Sequence, residues 1–475
     1  MDTKRVALAL GIAAILAVSV VVLIMNMPSS PPGEEGDITP PVITVTSPGN
    51  QSEVFGAVSL SFTATDDNSV ARSEIYIDGE IVSVRQAYNW NTMSVEDGEH
   101  TITFRARDPD VNWGEATVTV TVDNSQIPDY DFSNQFKIMA YNIEESGINS
   151  DWKAVVKEEN PDILMLVETG NFDDNGNQQL RNVVQELNNY FTDEDPYSGF
   201  TAQDIFYSTS GEAVLSRYPV LAFYQIPVVT LDDATGYTVT HDFVDAVIDI
   251  NGTSVHFIGM HLKAGGGDDN KIRRNYENEG IINYMDGLGQ VPIVYLGDMN
   301  SYSPEDNVTI DNDYGYGPMT MLVDPDDPTF GQYASEVHNF TDVYRALYPD
   351  DLGYTYGHQY SALLGRIDYI IVNDFFTDKI VNSTVGDTAH AGTGSDHYCI
   401  DAFITWNGTG AANLTAPSYI EDTQISPETS EVTTQPQMNQ MFEVQQKITL
   451  SEFFGRYSET FQTMFVVPHP SSYRE

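Results

Sequence analysis

A chain of 475 residues is too long for one ordinary core, so at least two domains are expected. Its 70 Asp and Glu outweigh 21 Lys and Arg, giving a formal net charge of -49 spread along the whole length. That balance argues against a passive nucleic-acid binder, which would carry a basic face, yet leaves room for an enzyme that meets phosphate through a metal ion. The lone cysteine, Cys399, rules out an intrachain disulfide, so the fold must rest on packing.

Lys4 and Arg5 precede an apolar run from Val6 to Met25, about the 20 residues needed to cross a bilayer. With basic residues before the run and Glu34, Glu35 and Asp37 after it, residues 1–27 read as a signal anchor that leaves the bulk of the chain outside the cell membrane. Residues 28–39 are a Pro, Gly and Ser linker. From 40 to 124 apolar and polar residues alternate in short runs such as Val58–Phe62 and His100–Phe104, separated by Asp78-Gly79 and Asp97-Gly98 turns. This spacing predicts a small β-sandwich. The segments TATDDNSV, EIYIDGE and DGEHTITFRARD resemble the immunoglobulin-like modules of prokaryotic surface proteins, which are usually spacers.

Beyond Phe136 the pattern changes to apolar strand-like runs alternating with helical stretches at Trp152–Glu159, Gln178–Tyr190 and Asn275–Met285. Such alternation over 134–406 predicts layered α and β structure with sheets packed inside helices. Residues 407–440 read as a disordered linker rich in Gly, Asn, Thr, Ser and Pro, and 441–475 as a tail of unknown role.

Several polar residues stand at the ends of those apolar runs, where a rigid sheet presents its chemistry. Asn142 follows Phe136–Tyr141 and Glu168 follows Ile163–Val167. A carboxylate placed directly after an apolar run is costly to bury unpaired, which suits a ligand for a hard divalent cation. Asp298 and Asn300 in LGDMNSYSPED share one face of an extended strand, although a lone Asp-Met-Asn also fits an Asx turn. His261 and His397 are donors near neutral pH, and His256 falls on the opposite face from His261. His397 wants an acid other than its neighbour Asp396 to orient it, and Asp368 in GRIDYIIV is the candidate.

AYNI, DILMLVET, GMHLKAGGG, LGDMNSYSPED, GRIDYIIV and GSDHYCIDAF occur in the order and approximate spacing of the endonuclease/exonuclease/phosphatase superfamily, most closely its secreted nuclease-like branch. The resemblance implies an α/β (α+β) catalytic domain folded as a four-layer α/β/β/α sandwich. It implies a Mg²⁺ site, with Mn²⁺ or Ca²⁺ as alternatives, that uses Glu168 with Asn142 and Asp396 nearby. It places Asp298 and Asn300 at the phosphate, His397 supported by Asp368, and His261 as a further phosphate contact. Whether Asp298 or His397 takes the proton from water stays open, and Glu144 falls where some relatives carry an acid near the metal.

Lys263, Lys271, Arg273 and Arg274 form the dense basic cluster of an otherwise acidic chain, directly after His261. Lys263, Arg273 and Arg274 are candidate contacts to substrate phosphate, and a solvated helix face is the plain alternative. Tyr354, Tyr356 and Tyr360 offer faces on which bases stack, or simply fill loops. The leading expectation is an extracellular, membrane-anchored nuclease acting on DNA or RNA. The alternative is a phosphatase or sphingomyelinase-like phospholipase. No stable protein partner is inferable.

Overall fold

The computed structural model describes residues 37–126, 134–144, 151–203, 211–306, 314–357, 365–386 and 388–406. The expected membrane span, most of the following linker and the regions after Trp406 lie outside them. Among the described residues no helix is long and apolar enough to cross a membrane.

In the amino-terminal part, period-two alternation becomes two packed sheets. One orders the strands Val42–Ser47, Ala57–Thr65 and Ala87–Asn91; the other orders Glu53–Val54, Trp113–Val122, Gly98–Arg107, Arg72–Ile77 and Glu80–Ser83. Every second residue of Gly98–Arg107 from Ile102 onward faces inward, and Leu60, Phe62, Ile75, Ile102, Phe104 and Val120 are fully buried.

The larger part holds two six-stranded mixed sheets. From edge to edge the first runs Ser198–Thr201, Glu212–Ser216, Ile163–Val167, Gln135–Asn142, Ile400–Thr405 and Ile380–Val385. The second runs Val220–Thr230, Gly236–Ile250, Thr253–His261, Ile293–Asp298, Asp368–Asn373 and Phe340–Asp342. Three apolar clusters separate four layers. Ile138, Met165, Val244, Phe257, Val294 and Ile370 fill the space between the sheets. Met139 and Leu164 meet Val155 of helix Trp152–Glu159 and Leu180 of helix Asp174–Tyr190 on one outer face. Ile258 and Tyr295 meet Ile281 and Met285 of helix Asp268–Gly287 on the other. The four-layer expectation is met, with thin helical layers.

The edge strand Val220–Thr230 is absent from the sequence-based expectation because Pro227 breaks its pattern. The register slips between Ile226 and Val228, so the residue without an N–H sits in a bulge. The same edge is covered by the small sandwich, which blunts its pairing capacity. Asn91 Nδ2 donates to the Tyr224 hydroxyl at 3.0 Å, and Asn89 Nδ2 to the Thr201 carbonyl at 3.2 Å. Gly176, at φ +63°, approaches so closely that a Cβ would stand 2.6 Å from the Phe62 carbonyl oxygen. The sandwich is therefore docked on the larger part.

Candidate active site

The parallel register pairs Val167 with Asn142 in one sheet and His261 with Asp298 in the other; Asp298 in turn faces Asp368 on the neighbouring antiparallel strand. Strand ends thus carry Asn142, Glu168, His261, Asp298 and Asp368 to one rim of the two-sheet sandwich. Gly297 makes the second row possible. At φ +135° it lets the two strands meet where any Cβ would lie 2.1 Å from the Met260 carbonyl oxygen.

Asn142 bridges the sheets: its Nδ2 lies 3.1 Å from Glu168 Oε1 and 3.1 Å from Asp298 Oδ2, while its oxygen accepts the Glu144 N–H at 3.0 Å. The amide nitrogen, and not the oxygen expected of a ligand, faces the carboxylates. Glu168 holds a left-handed φ of 54°, a strained conformation for a side chain of this size. Asn300 is also left-handed at φ 47°; its backbone N–H reaches Asp298 Oδ1 at 2.8 Å, and its side-chain amide donates to the Leu262 carbonyl at 3.1 Å.

His397 Nδ1 lies 2.8 Å from Asp368 Oδ2, so the expected acid does orient this ring. Its Nε2 then faces Asp298 Oδ2 at 3.8 Å and Asp396 Oδ1 at 3.9 Å. Thr355 Oγ1 accepts the N–H groups of Ile367 and Asp368 and fixes the start of the Asp368 strand. Burial works against the His397 charge, but Asp368, Asp298 and Asp396 outweigh it and raise its pKa to about 10. Asp298 is pushed up to about 8, first by burial and then by the Asp368 charge. Burial, with neighbouring carboxylates, also raises Asp396 and Glu144.

His261 is buried, and neither ring nitrogen has a hydrogen-bond partner among the described residues. Its Nε2 stands 3.4 Å from Glu168 Oε1 and 3.8 Å from Asp298 Oδ2. Burial, then the charges of His397 and Lys263, hold its pKa down to about 3, so this ring is neutral. His241, which sequence reasoning missed, stacks on it with centroids 4.0 Å apart and its Nδ1 2.9 Å from the His261 carbonyl oxygen. Its position inside the alternating strand Gly236–Ile250 gave no signal. His256 instead pairs with Asp245 at 2.8 Å, as packing on the opposite face requires.

Glu168, His261 and Asp298 each offer a ligand atom within 4.8 Å of the others, as do Asp298, Asp368 and His397. Hard carboxylate oxygens, a partnerless buried imidazole and an unpartnered Asp368 Oδ1 among the described residues form a donor set that fits a divalent cation.

The basic cluster divides. Arg274 is 0 % exposed, and its guanidinium donates to the carbonyls of Lys263, Gly265 and Tyr314 at 2.6, 2.7 and 2.6 Å. The expected phosphate contact is corrected: Arg274 ties two loops together, because a cation buried this deeply must find its hydrogen-bond partners inside the protein. Lys263 and Arg273 remain at the surface, half-buried and exposed respectively. Cys399 is a buried free thiol, pushed up by burial and unsuited to nucleophilic work.

No curated protein matches the chain. Solved structures similar to it include a 3′ phosphatase from Neisseria bound to a product DNA hairpin, at 17% identity and TM-score 0.42, covering 57% of this chain and 100% of that one. An AP endonuclease from Archaeoglobus fulgidus is similar at 18% identity and TM-score 0.40, with 56% and 98% covered. The human nocturnin catalytic domain with bound sulfate follows at 16% and 0.37, with 58% and 95% covered. Residues 41–103 match the bacterial Ig domain family model, and residues 139–397, more than half of the chain, match that of the endonuclease/exonuclease/phosphatase family. The chain belongs to the endonuclease/exonuclease/phosphatase family and is, by that membership, a hydrolase of phosphoester bonds.

Proposed function

We propose that the protein is a metal-dependent phosphodiesterase that hydrolyses nucleic acid, DNA or RNA, by direct attack of water on phosphorus. The observation carrying this reading is the convergence of Glu168, His261, Asp298, Asp368, Asp396 and His397 on one buried rim with too few cations to balance them. Glu168, with Asp396 beside it, would hold the ion; Mg²⁺ there, or Mn²⁺ or Ca²⁺, would supply charge neutralisation for phosphate. Asp298, raised towards neutrality and fixed by the Asn300 N–H, takes the proton of the attacking water. His397, kept protonated by Asp368, presents Nε2–H to a phosphate oxygen, and neutral His261 donates to another without adding charge. Asn142 holds Glu168 and Asp298 in register by donating to both. We further propose that the Val6–Met25 run anchors the chain in the cell membrane with this domain outside.

The test is a substrate panel of plasmid, single-stranded DNA, RNA, sphingomyelin and a phosphomonoester, assayed with Mg²⁺ or Mn²⁺ and with chelator. Chelator-sensitive cleavage of nucleic acid supports the reading. Turnover of lipid or monoester with all nucleic acid intact would hand the function to a phosphatase or phospholipase.

A further inference from the structure

Beside the candidate active site five tyrosines stand together. The Tyr302 ring, two residues past Asn300, is 5.9 Å from Tyr314 and 6.0 Å from Tyr316 between centroids. The loop carrying Tyr314 and Tyr316 is tied to the Asn300 turn, because Tyr302 N–H and Ser301 Oγ both donate to the Gly315 carbonyl at 2.9 and 3.0 Å. Across the site Tyr356 lies against His397 with centroids 4.8 Å apart. Buried Thr355 faces inward, so its neighbours Tyr354 and Tyr356 share the opposite, half-exposed face of an extended segment. Tyr316 is 43% exposed, whereas Tyr302 is 3% exposed and its hydroxyl has no hydrogen-bond partner among the described residues. Tyr302 is thus the buried anchor of the group, while Tyr314, Tyr354 and Tyr356, half-exposed, and Tyr316, exposed, line the approach to the phosphate chemistry.

The cations around this wall are mostly committed. Arg345 and Arg366 hold Asp306 at 2.6 and 2.7 Å, Lys271 pairs with Asp268 at 3.0 Å, and Arg274 is committed to three carbonyls. Of the basic cluster, Lys263 and Arg273 are at the surface and have no ion pair among the described residues. Duplex DNA keeps its base faces stacked and is gripped through many phosphate contacts, which this surface lacks. Unpaired nucleotides expose their faces to aromatic rings, and stacking needs few cations.

Building on the proposed nuclease reading, we infer that the substrate is single-stranded nucleic acid, or an unpaired end, whose bases stack on the wall formed by Tyr314, Tyr316, Tyr354 and Tyr356 around the buried Tyr302, while the adjoining phosphate enters the acid and histidine cluster. The wall selects strandedness, and its stacking tolerates any base.

The experiment uses the full chain in detergent. Fluorescence anisotropy in chelator, where no turnover occurs, compares a labelled single-stranded oligonucleotide with its duplex and with the same strand carrying abasic residues. Single strand is expected to bind at least tenfold tighter than either. Tyr316→Ala and Tyr354→Ala should each weaken single-strand binding by about tenfold, whereas Tyr316→Phe and Tyr354→Phe retain it, with circular dichroism unchanged throughout. The slope of log affinity on log salt should be no steeper than about -1.5, for two neutralised phosphates. Equal or tighter binding of duplex, or wild-type affinity in both alanine variants, overturns the inference. Strandedness of cleavage with Mg²⁺ separates the two levels. Cleavage of duplex in preference to single strand removes this inference and leaves the nuclease reading standing, whereas turnover of lipid or monoester alone removes both.

Discussion

Two charged clusters meet at the strand Asp368–Asn373 and differ in their balance. In the first, Asp306 and Asp342 meet Arg345 and Arg366 at 2.6 to 2.7 Å, two acids against two bases. Burial works against the Arg366 charge, but Asp342 and Asp306 outweigh it and hold its pKa above the usual value. In the second, which starts two residues further on at Asp368 and reaches across both sheets, Asp298, Asp368 and Asp396 face the one protonated ring of His397, while Glu168 lies beside the neutral His261. Burial is expensive for either set. The balanced cluster closes on itself and welds strands together. The unbalanced one persists with Asp298 and Asp396 raised, as groups at functional sites commonly are.

The comparison can be broken by swapping the kind of damage. Asp298→Ala and His397→Ala should each lower turnover by roughly 10² to 10⁴-fold with folding intact, read by cleavage assays beside circular dichroism. Retained activity in either would remove that residue from the proposed site. Arg366→Met should do the reverse. It leaves Asp306 and Asp342 buried with one cation fewer and should cost about 3 to 5 kcal/mol in urea unfolding, while Asp298→Asn costs nothing or stabilises the metal-free protein.

pH sharpens the contrast. In chelator, Asp298 raised to about 8 keeps a proton that an unfolded aspartate releases above about 4. His397 raised to about 10 likewise keeps a proton that an unfolded histidine loses above about 6.5. The folded state then binds more protons than the unfolded one, so stability falls as pH rises through these windows. The melting temperature in chelator should drop between pH 6 and 9. Asp298→Asn should flatten that profile, and so should Mg²⁺. A flat profile in the wild-type protein without metal would contradict the assigned charges. The smallest effect is expected at Arg273→Ala, less than about twofold in KM, as for an exposed side chain with no structural partner.

Most of the convergent residues were legible because each terminates or begins an apolar run: Asn142, Glu168, His261, Asp298 and Asp368 meet in space as their strand ends suggested. Asp368 as the orienter of His397 was legible for a chemical reason, since a histidine cannot easily be held by its own neighbour. What stayed hidden depends on tertiary distance. His241 shares no motif with His261 and reaches it only through the neighbouring strand. Arg274 reads like Arg273 in sequence, and only the helix facing separates a buried clamp from a solvent-exposed cation. Tyr354 and Tyr356 were singled out in the sequence, whereas Tyr302, Tyr314 and Tyr316 were diluted by 27 tyrosines in the chain. The Val220–Thr230 strand was masked by Pro227, whose cost is absorbed by a bulge at a covered edge.

The most direct measurement of the central claim is calorimetric titration of Mn²⁺ into chelator-stripped protein, wild type and Glu168→Gln, each in two buffers of different ionisation heat. The wild-type chain should bind the ion at the acid and histidine cluster and release protons on doing so, because the raised Asp396 must deprotonate to hold it and the ion's charge draws the proton from the neighbouring Asp298. Glu168→Gln should lose most of that affinity while folding normally. Absence of binding in the wild type, or undiminished binding with no proton release in the variant, would contradict the account.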